Sequence, residues 1–397
     1  MKKTALSTLS LALLGAAGAA HAQSSVTLYG TIDTSLTYVH NAATNAQHQS
    51  QNLWSLGNTS GGDLSGTRWG LKGAEDLGGG LKAIFQLENG FNPSTGQLNQ
   101  GGREFGRQAF VGIASDKFGT LTLGRQYDPL VDMVQAITND NYFGSPFATV
   151  GDVDNYDNSS RTNNAIKYVS PSYAGLQVEG MYALGGKAGQ TGSGQTWSLA
   201  AAYNNGPLSV AAGYFVADNN DGARTATTGG GGWSSTSDGT FDGSLVNLGY
   251  QTAKSINIAR VAAQYVAGPF TVGAAYSNSQ YKNDGFSAFS STEKYNTGQG
   301  FLNYQANTAL LLGLGYSYTK SSGNTGATYH QVSLGADYSL SKRTDVYLVG
   351  AYQHASGDTL NALGTQTVSA VASIGSYGYD GGRNTQELFA LGLRHKF

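Results

Sequence analysis

The stretch TALLLGLGYSYT, residues 308–319, reveals the secondary structure of this chain most plainly, because large side chains occupy every second position. In an extended chain these side chains share one face: Leu310, Leu312, Leu314, Tyr316 and Tyr318. The opposite face is mostly small or polar: Ala309, Leu311, Gly313, Gly315, Ser317 and Thr319. A period of two predicts a β-strand whose two faces meet different environments.

The same alternation returns along most of the chain, most clearly in 175–184, 195–204, 206–217, 268–280, 329–340 and 386–397. With weaker segments included, the pattern predicts about sixteen strands, an even number that suits a closed antiparallel barrel. A barrel of about this size encloses an aqueous lumen. The predicted strands are 25–39, 65–75, 80–90, 105–115, 119–127, 161–170, 174–184, 195–204, 207–217, 256–266, 269–281, 297–306, 308–319, 329–340, 344–354 and 386–397.

Alternation alone fits a soluble sandwich as well as a membrane barrel, but the aromatic residues favour the barrel. GPLSVAAGY at 206–214 is repeated as GPFTVGAAY at 268–276, and Tyr203 and Tyr265 each stand three residues before the glycine. Tyrosines therefore mark both ends of the apolar band, as interfacial girdles do. The other face is too poor in large apolar residues to fill a close-packed interior.

Predicted connections alternate between short turns and long loops, as they do in membrane barrels. The short turns lie near 76–79, 116–118, 171–173, 205–207, 267–268, 306–307 and 340–342. The long loops lie near 40–64, 91–104, 127–161, 185–194, 218–255, 282–296, 320–328 and 355–385. Within 218–255, residues 245–253 are a candidate strand extension beyond the membrane.

The segment YDPLVDMVQAITNDNYFGSPFATVGDVDNYDNSSR, residues 127–161, interrupts the strand pattern. Loops of this length in compact proteins are usually functional or disordered. This one carries too many apolar residues for a solvated tether, including Val131, Met133, Val134, Ile137, Tyr142, Phe143 and Phe147. It also carries Asp128, Asp132, Asp140, Asp152, Asp154 and Asp157. We expect it to fold into the interior of the barrel.

The first 22 residues have the features of a secretory signal peptide, with a short N-terminal helix as the alternative. Lys2 and Lys3 precede the apolar run Ala5–Leu14, and the cleavage pattern predicts a mature chain of residues 23–397. The sequence has no cysteine, so disulfides and thiol chemistry are excluded. Removing the leader reduces the 23 basic residues to 21 against 25 acidic ones, a net charge of −4 that does not suggest nucleic-acid binding.

Four stretches together resemble the Gram-negative general porins, particularly their β-proteobacterial, neisserial-type branch. They are SSVTLYGTIDTSL (24–36), TRWGLKGAEDLGGGLKAIFQLENGF (67–91), GRQAFVGIASDKFGTLTLGRQYD (106–128) and ELFALGLRHKF (387–397). The resemblance implies a 16-stranded antiparallel transmembrane β-barrel of the outer membrane, whose third long loop, 127–161 by count, folds into the lumen. It implies a general diffusion channel for ions and small hydrophilic solutes.

The resemblance also implies partners. It predicts a homotrimer in contact with outer-membrane lipids and lipopolysaccharide. The C-terminal Phe397 matches the residue that helps the barrel-assembly machinery to recognise the last strand. We expect no cofactor, metal or enzymatic activity.

Strand parity predicts which charged side chains face the lumen. In 65–75, Trp69 and Leu71 face outward, so Arg68 and Lys72 face inward, and the same reasoning turns other residues inward: Lys82, Glu88, Arg161 and Lys167. The alternation is blurred around Arg107 and Arg125, which we attribute to strands covered by a neighbouring subunit outside and by the loop inside.

Parity and resemblance together predict a charged constriction. The basic side consists of Arg68, Arg107, Arg161, Arg125, Lys72 and Lys82, and the acidic side of Asp132, Asp140 and Glu88. Opposed charges across a narrow opening create a transverse field that favours polar solutes. The same arginines have an alternative role, which is to hold the loop through salt bridges.

Two other classes of function were weighed. A surface adhesin or receptor would use the loops 218–255 and 355–385. A barrel hydrolase would need a Ser–His pair, and His330 and His354 have Ser333 and Ser356 nearby, but the sequence shows no nucleophile motif. Asp152, Asp154 and Asp157 have oxygen ligands that suit Ca²⁺, although solvated loop charge is the simpler interpretation.

Overall fold

The computed structural model describes residues 25–45, 49–57, 63–219, 243–375 and 380–397. Over these ranges the chain forms one antiparallel sheet of 18 strands, which closes because β1 pairs with β18. The strands are Ser25–Ala43 (β1), Ser50–Leu56 (β2), Arg68–Gly78 (β3), Leu81–Gly90 (β4), Gln108–Ser115 (β5), Gly119–Gln126 (β6), Thr162–Val169 (β7), Leu176–Ala183 (β8), Thr196–Asn205 (β9), Leu208–Asp218 (β10), Ser255–Ala267 (β11), Phe270–Lys282 (β12), Glu293–Gln305 (β13), Leu310–Ser322 (β14), Gly326–Ser339 (β15), Thr344–Leu360 (β16), Thr367–Ser369 (β17) and Thr385–Lys396 (β18). The predicted signal peptide, 1–22, lies outside the described residues.

The 18 strands make a closed 16-strand barrel because two of them do not add a position round the wall. β2 and β3 follow each other along the same edge of β1: residues 36–43 of β1 pair with β2, and residues 25–31 pair with β3. β17 pairs only with the end of β16, at residues 358–360. The predicted all-β barrel of sixteen strands is therefore confirmed.

The outer face of the wall is apolar and the inner face is polar, the reverse of a soluble protein. Leu334, Leu348 and Leu391 face outward and are 59%, 55% and 60% exposed. Buried polar side chains occupy the opposite parity, among them Thr37, Thr319, Gln331, Ser333 and Gln353. Tyr203 and Tyr265 near the short turns, and Tyr214 and Tyr276 towards the other end, are exposed as the girdle pattern predicts.

Connections at one end of the barrel are short, as predicted, and include residues 79–80, 206–207 and 268–269. Three predictions at the other end were incomplete or wrong. The predicted loop 320–328 is a turn of residues 323–325, because β14 and β15 extend beyond their predicted ends. The predicted loop 40–64 contains β2. The candidate strand extension 245–253 is a helical turn, Leu248–Tyr250, with flanking turns. Among the described residues, no helix is long and apolar enough to cross a bilayer.

The segment 127–161 folds into five short helical turns: Leu130–Val134, Gln135–Ile137, Asp140–Phe143, Ser145–Phe147 and Val150–Asp152. Its apolar side chains pack against the inward-facing side chains of the wall. Val134, Ile137 and Tyr156 contact small inner-face residues, Ala211, Ala262 and Ala275. Small residues on the wall leave the space that the segment occupies.

Phe143 and Phe147 dock this segment on the far side of the barrel. Their rings stack 5.0 Å apart and join a cluster that includes Tyr347 and Val349 of β16. A Cβ atom at Gly313 or Gly335 would collide with the ring of Phe143. Glycine at these two inner-face positions therefore makes room for the phenylalanine.

Candidate functional site

A polar cavity of about 310 Å³ lies between the wall and the segment 127–161. Its charged lining consists of five cations, Arg68, Arg107, Arg161, Arg394 and Lys396, and three carboxyl groups, Asp63, Asp140 and Asp157. Serine, asparagine and glutamine side chains complete the lining: Ser65, Gln100, Gln135, Asn141, Ser145 and Asn158. The structure thus brings together three of the predicted arginines with one of the predicted loop aspartates.

Three elements position the predicted arginines. Arg68 begins β3, Arg107 directly precedes β5, and Arg161 directly precedes β7. The guanidinium groups of Arg107 and Arg161 stand 5.8 and 5.6 Å from the centre of the Tyr127 ring. Tyr127 therefore lies between these two cations, and its ring face attracts both. Arg161 keeps one nitrogen, Nε, without a hydrogen-bond partner in the structure.

Glu88 lies on the basic side, so its predicted place on the acidic side is wrong. Its Oε1 accepts a hydrogen bond of 2.7 Å from Arg107 Nε, and its Oε2 lies 3.8 Å from Arg68 Nε. The Tyr29 hydroxyl also donates to Oε2, at 2.8 Å. Parity placed Glu88 inward correctly, but parity does not say which wall partner an inward carboxylate will meet. Glu88 holds two arginines in place and offsets part of their charge.

Asp140 lies at the cavity, whereas Asp132 lies away from it. The Asp140 carboxylate accepts hydrogen bonds from Thr138 Oγ1 at 2.5 Å and Gln135 Nε2 at 2.8 Å. Burial raises the pKa of Asp140 to about 7, with both hydrogen bonds opposing that rise. Asp132 pairs with Lys167 on β7, which also contacts Glu179 Oε1 at 3.0 Å. Asp132 therefore attaches the start of the segment to the wall.

Arg125 is not among the residues that line the cavity, although it is predicted on the basic side of the constriction. A bulge between Gly124 and Gln126 shifts the register with β7, and Thr122 Oγ1 donates to Gln126 Oε1, so positions 122 and 126 share one face of β6. Its guanidinium donates to the Gly106 carbonyl at 2.6 and 2.8 Å and to Asn163 Oδ1 at 2.5 Å. Arg125 therefore connects the loop before β5 to the start of β7.

Neither predicted lysine is among the residues that line the cavity. Lys72 Nζ stands 5.3 Å from the centre of the inward Tyr29 ring. Lys82 is exposed beside the short turn at 79–80, where it pairs in register with Asp76. Both side chains follow the predicted parity but lie nearer the short-turn end of the barrel than Arg68 and Arg107.

The sequence interpretation missed four charged residues of the lining: Arg394, Lys396, Asp63 and Asp157. Arg394 and Lys396 have the opposite parity from the outward Leu391 and Leu393, so the alternation of β18 already contained their orientation. Arg394 is held by Asp345 at 2.9 Å and Asp337 at 3.0 Å. No pattern in the sequence indicates Asp63, which lies in a loop.

The acidic group at 152–157 is not solvated charge, because Asp152 and Asp154 are fully buried. Asp152 accepts a hydrogen bond from the backbone N–H of Asp157, and Asp154 accepts from Thr149 Oγ1 and Ser277 Oγ. Arg260 on β11 donates to the Asp154 carbonyl and stands 4.0 Å from the centre of the Tyr156 ring. These contacts fasten the end of the segment to the wall. Among the described residues no group of three or more metal-ligating side chains occurs.

The candidate pair of Ser333 and His330 is separated by the wall. Ser333 faces inward and donates to the Pro146 carbonyl at 2.7 Å, whereas His330 faces outward beside Tyr316. Neighbouring residues on opposite faces of a strand do not form a nucleophile–base pair. Most of the loop 218–255, which a surface adhesin or receptor would use, lies outside the described residues.

The sequence matches the Gram-negative porin family over residues 7–358. An outer membrane porin protein of Bordetella pertussis is 39% identical over 233 residues, and outer membrane porin protein 32 of Delftia acidovorans is 40% identical over 226 residues. Each match covers 54% of this chain and 59% of the relative. The major outer membrane protein P.IB of Neisseria meningitidis serogroup B is 28% identical over 373 residues, covering 90% of this chain and 96% of the relative.

Solved structures agree with these relatives. The anion-selective porin from Comamonas acidovorans superposes with a TM-score of 0.70 at 25% identity, covering 94% of this chain and all of that one. The outer-membrane protein OmpT of Vibrio cholerae, at 16% identity and a TM-score of 0.61, shares the fold. Since the family match spans most of the sequence, the chain belongs to the Gram-negative porin family.

Proposed function

We propose that this protein is a general diffusion porin of the outer membrane, which passes ions and small hydrophilic solutes passively. The observation that carries the proposal is a closed barrel with an apolar outer face and a polar cavity inside it. A wall of this kind places a hydrated path across a bilayer, and no step needs energy input. The proposal includes no catalytic turnover.

The segment 127–161 constricts the path in this proposal. Its apolar side chains hold it against β10–β16, and Asp140 faces the arginines of β3, β5 and β7 across the cavity. Charges of opposite sign on two sides of a narrow opening orient polar solutes and disfavour apolar ones, which disrupt ordered water. Arg68, Arg107 and Arg161 supply the basic side, joined by Arg394 and Lys396.

The charge balance of the lining favours anions. Five cations face three carboxyl groups, and Asp140 is only partly ionised at neutral pH because burial raises its pKa to about 7. Glu88 pairs with Arg68 and Arg107, and Asp337 and Asp345 pair with Arg394, so the excess positive charge rests mainly on Arg161 and Lys396. In this proposal an anion in the cavity is attracted by that excess. The solved structure of an anion-selective porin with 25% identity supports the same preference.

The outer face suggests further partners. A band of large exposed side chains crosses β1, β2 and β18, with Leu36, Trp54, Leu56, Phe389 and Leu391. Part of this band would pack between subunits of a homotrimer, and the rest would contact outer-membrane lipids and lipopolysaccharide. Phe397 bonds through its backbone to Gly30 and remains 40% exposed, which leaves its ring accessible to the barrel-assembly machinery. Light scattering of the protein in detergent tests the trimer.

Planar bilayers test the channel directly. The purified protein should produce stable stepwise openings, and a salt gradient should give a reversal potential of the sign expected for anions. A bilayer that remains sealed excludes the porin proposal. Openings with a cation-type reversal potential would retain the channel and exclude the anion preference.

A further inference from the structure

The wall is interrupted where β1 changes partner from β3 to β2. The last residue of β1 that pairs with β3 is Thr31, and the first that pairs with β2 is Leu36. Across this break the described residues 57 and 63–67 attach to β1 by other bonds. Thr67 Oγ1 accepts a hydrogen bond of 2.9 Å from the Asp33 N–H and donates one of 2.7 Å to the Asp33 carbonyl. Side-chain bonds thus replace the missing ladder.

The break brings Asp63 to the inner side of the wall, next to Asp33. Asp63 is only 4% exposed; its Oδ1 accepts from Ser35 Oγ at 2.8 Å, and its Oδ2 has no hydrogen-bond partner. Asp33 is fully buried and accepts from Tyr347 OH at 2.5 Å and from the Ser65 N–H at 2.8 Å. Two adjacent buried carboxyl groups do not both ionise without a large free-energy cost.

The hydrogen bonds indicate which carboxyl group keeps a proton. Asp33 accepts bonds on both oxygens and is attracted by Arg394, which stabilises its ionised form. Asp63 has one donor and is repelled by Asp33, so its protonated form is the stable one. Burial, followed by the repulsion from Asp33, raises the pKa of Asp63 to about 9.

Asp63 lies where its charge would act on passing solutes. Asp63, Leu64 and Ser65 line the cavity together with the cationic side chains. The segment 127–161 touches the same place, because Gly144, with φ of +68°, approaches the Asp63 carbonyl so closely that a Cβ atom there would collide with it. A buried charge at the edge of the cavity is screened by salt less than a surface charge.

We propose that Asp63 is a specificity-determining residue of the cavity: it is uncharged while its carboxyl group keeps a proton, and it lowers the anion preference when that proton leaves. This inference rests on the proposed anion-preferring channel. The titratable and charged groups that face it are Asp33 from β1, Tyr347 from β16, Arg394 and Lys396 from β18, Arg68 from β3, Arg107 and Arg161 beside β5 and β7, and Asp140 and Asp157 from the segment 127–161.

The test compares reversal potentials of the wild-type protein and Asp63→Asn at about pH 7 and about pH 10, either side of the proton loss. Asparagine has the shape of the protonated acid. The two proteins should agree near pH 7, and at the higher pH the wild type should show an anion-to-cation permeability ratio about fourfold lower than the variant in ~0.1 M salt. Comparison at one pH cancels the titration of lysines, which both proteins share.

Three results would each contradict a different step of this inference. A higher anion preference of Asp63→Asn near pH 7 means that Asp63 is already charged, and equal ratios at both pH values mean that it does not titrate or does not act on solutes. Absence of anion preference in both proteins at neutral pH instead refutes the proposed function. If Asp63→Asn does not fold, infrared difference spectra of the wild type between about pH 8 and pH 10 replace the comparison, since the inference requires that a protonated carboxyl band disappears. No such loss excludes a protonated Asp63.

Discussion

Removal of one lining cation gives the sharpest test of the constriction, and Arg161→Gln is the best choice. Arg161 lines the cavity, and its contacts are one long hydrogen bond to Ser159 at 3.3 Å and a ring contact with Tyr127 at 5.6 Å, while Nε has no partner. Its replacement therefore breaks no ion pair given for it in the structure. Arg107, by contrast, is tied to Glu88 and Tyr127. The expected result of Arg161→Gln is a lower preference for anions with an intact barrel.

The magnitude follows from the size of the cavity. A volume of about 310 Å³ corresponds to a sphere with a radius of about 4 Å, which places a central ion roughly 6 Å from a lining guanidinium group. In water a unit charge at that distance contributes about 0.7 kcal/mol, and ~0.1 M salt reduces this to about 0.4 kcal/mol. Loss of the charge hinders anions and favours cations equally. The permeability ratio should therefore fall about fourfold in ~0.1 M salt and about tenfold at low salt.

Reversal potentials in planar bilayers at two salt concentrations measure this change. Lys82→Gln is the matched control, because it removes the same charge from an exposed position near the short-turn end. Its shift should be clearly smaller. Equal shifts for the two variants, or a shift for Arg161→Gln that does not depend on salt, would refute the assignment of the constriction.

Three further predictions concern the segment 127–161. Phe143→Ala removes a fully buried ring and should weaken the docking of the segment on the wall by about 3–5 kcal/mol. Single-channel currents should become larger and noisier, whereas the control Phe286→Ala, at an exposed position, should behave as wild type. Unchanged currents in Phe143→Ala would contradict the docking. Lys167→Met leaves Asp132 and Glu179 without their cation and should lower the free energy of unfolding by about 3–5 kcal/mol. Denaturation in detergent measures this change, with Lys117→Met as the control. Equal stability of the two variants would argue against a stabilising contact between Lys167 and these carboxylates. Asp140 is neutral below its pKa of about 7 and negative above it, so the anion preference should decrease as the pH rises through neutrality. Asp140→Asn should remove this pH dependence. If the decrease persists in the variant, another group causes it.

The barrel was predictable because its strands repeat one simple contrast. Leu312 and Leu314 alternate with Gly313 and Gly315, and lipid outside and polar space inside select opposite side chains at each step. β2 escaped the sequence interpretation because it is short, and because alternation over Ser50–Leu56 cannot show that it continues the line of β3. Strand pairing across an interruption is a tertiary contact rather than a local pattern.

The candidate site was predictable only in part. Parity turned Arg68, Glu88 and Arg161 inward correctly, but it carries no information on height along the barrel or on partners. The bulge beside Arg125, which shifts the register between β6 and β7, leaves no clear mark in the sequence. Asp63 was not predictable because its position beside Asp33 and Gly144 is set by tertiary contacts between residues far apart in sequence.

The pairing of β1 with β18 has a consequence for the order of events in biogenesis. Most other strands pair with their neighbours in sequence, whereas Gly30 bonds to Phe397 and joins the first described strand to the last. Closing a loop of about 370 residues costs about 5 kcal/mol of chain entropy, and this cost falls on one seam. A nascent or truncated chain that lacks its last strand exposes two unpaired edges, which are templates for aggregation. Both edges stay exposed until β18 pairs with β1, so the chain is most prone to aggregate in the interval before closure.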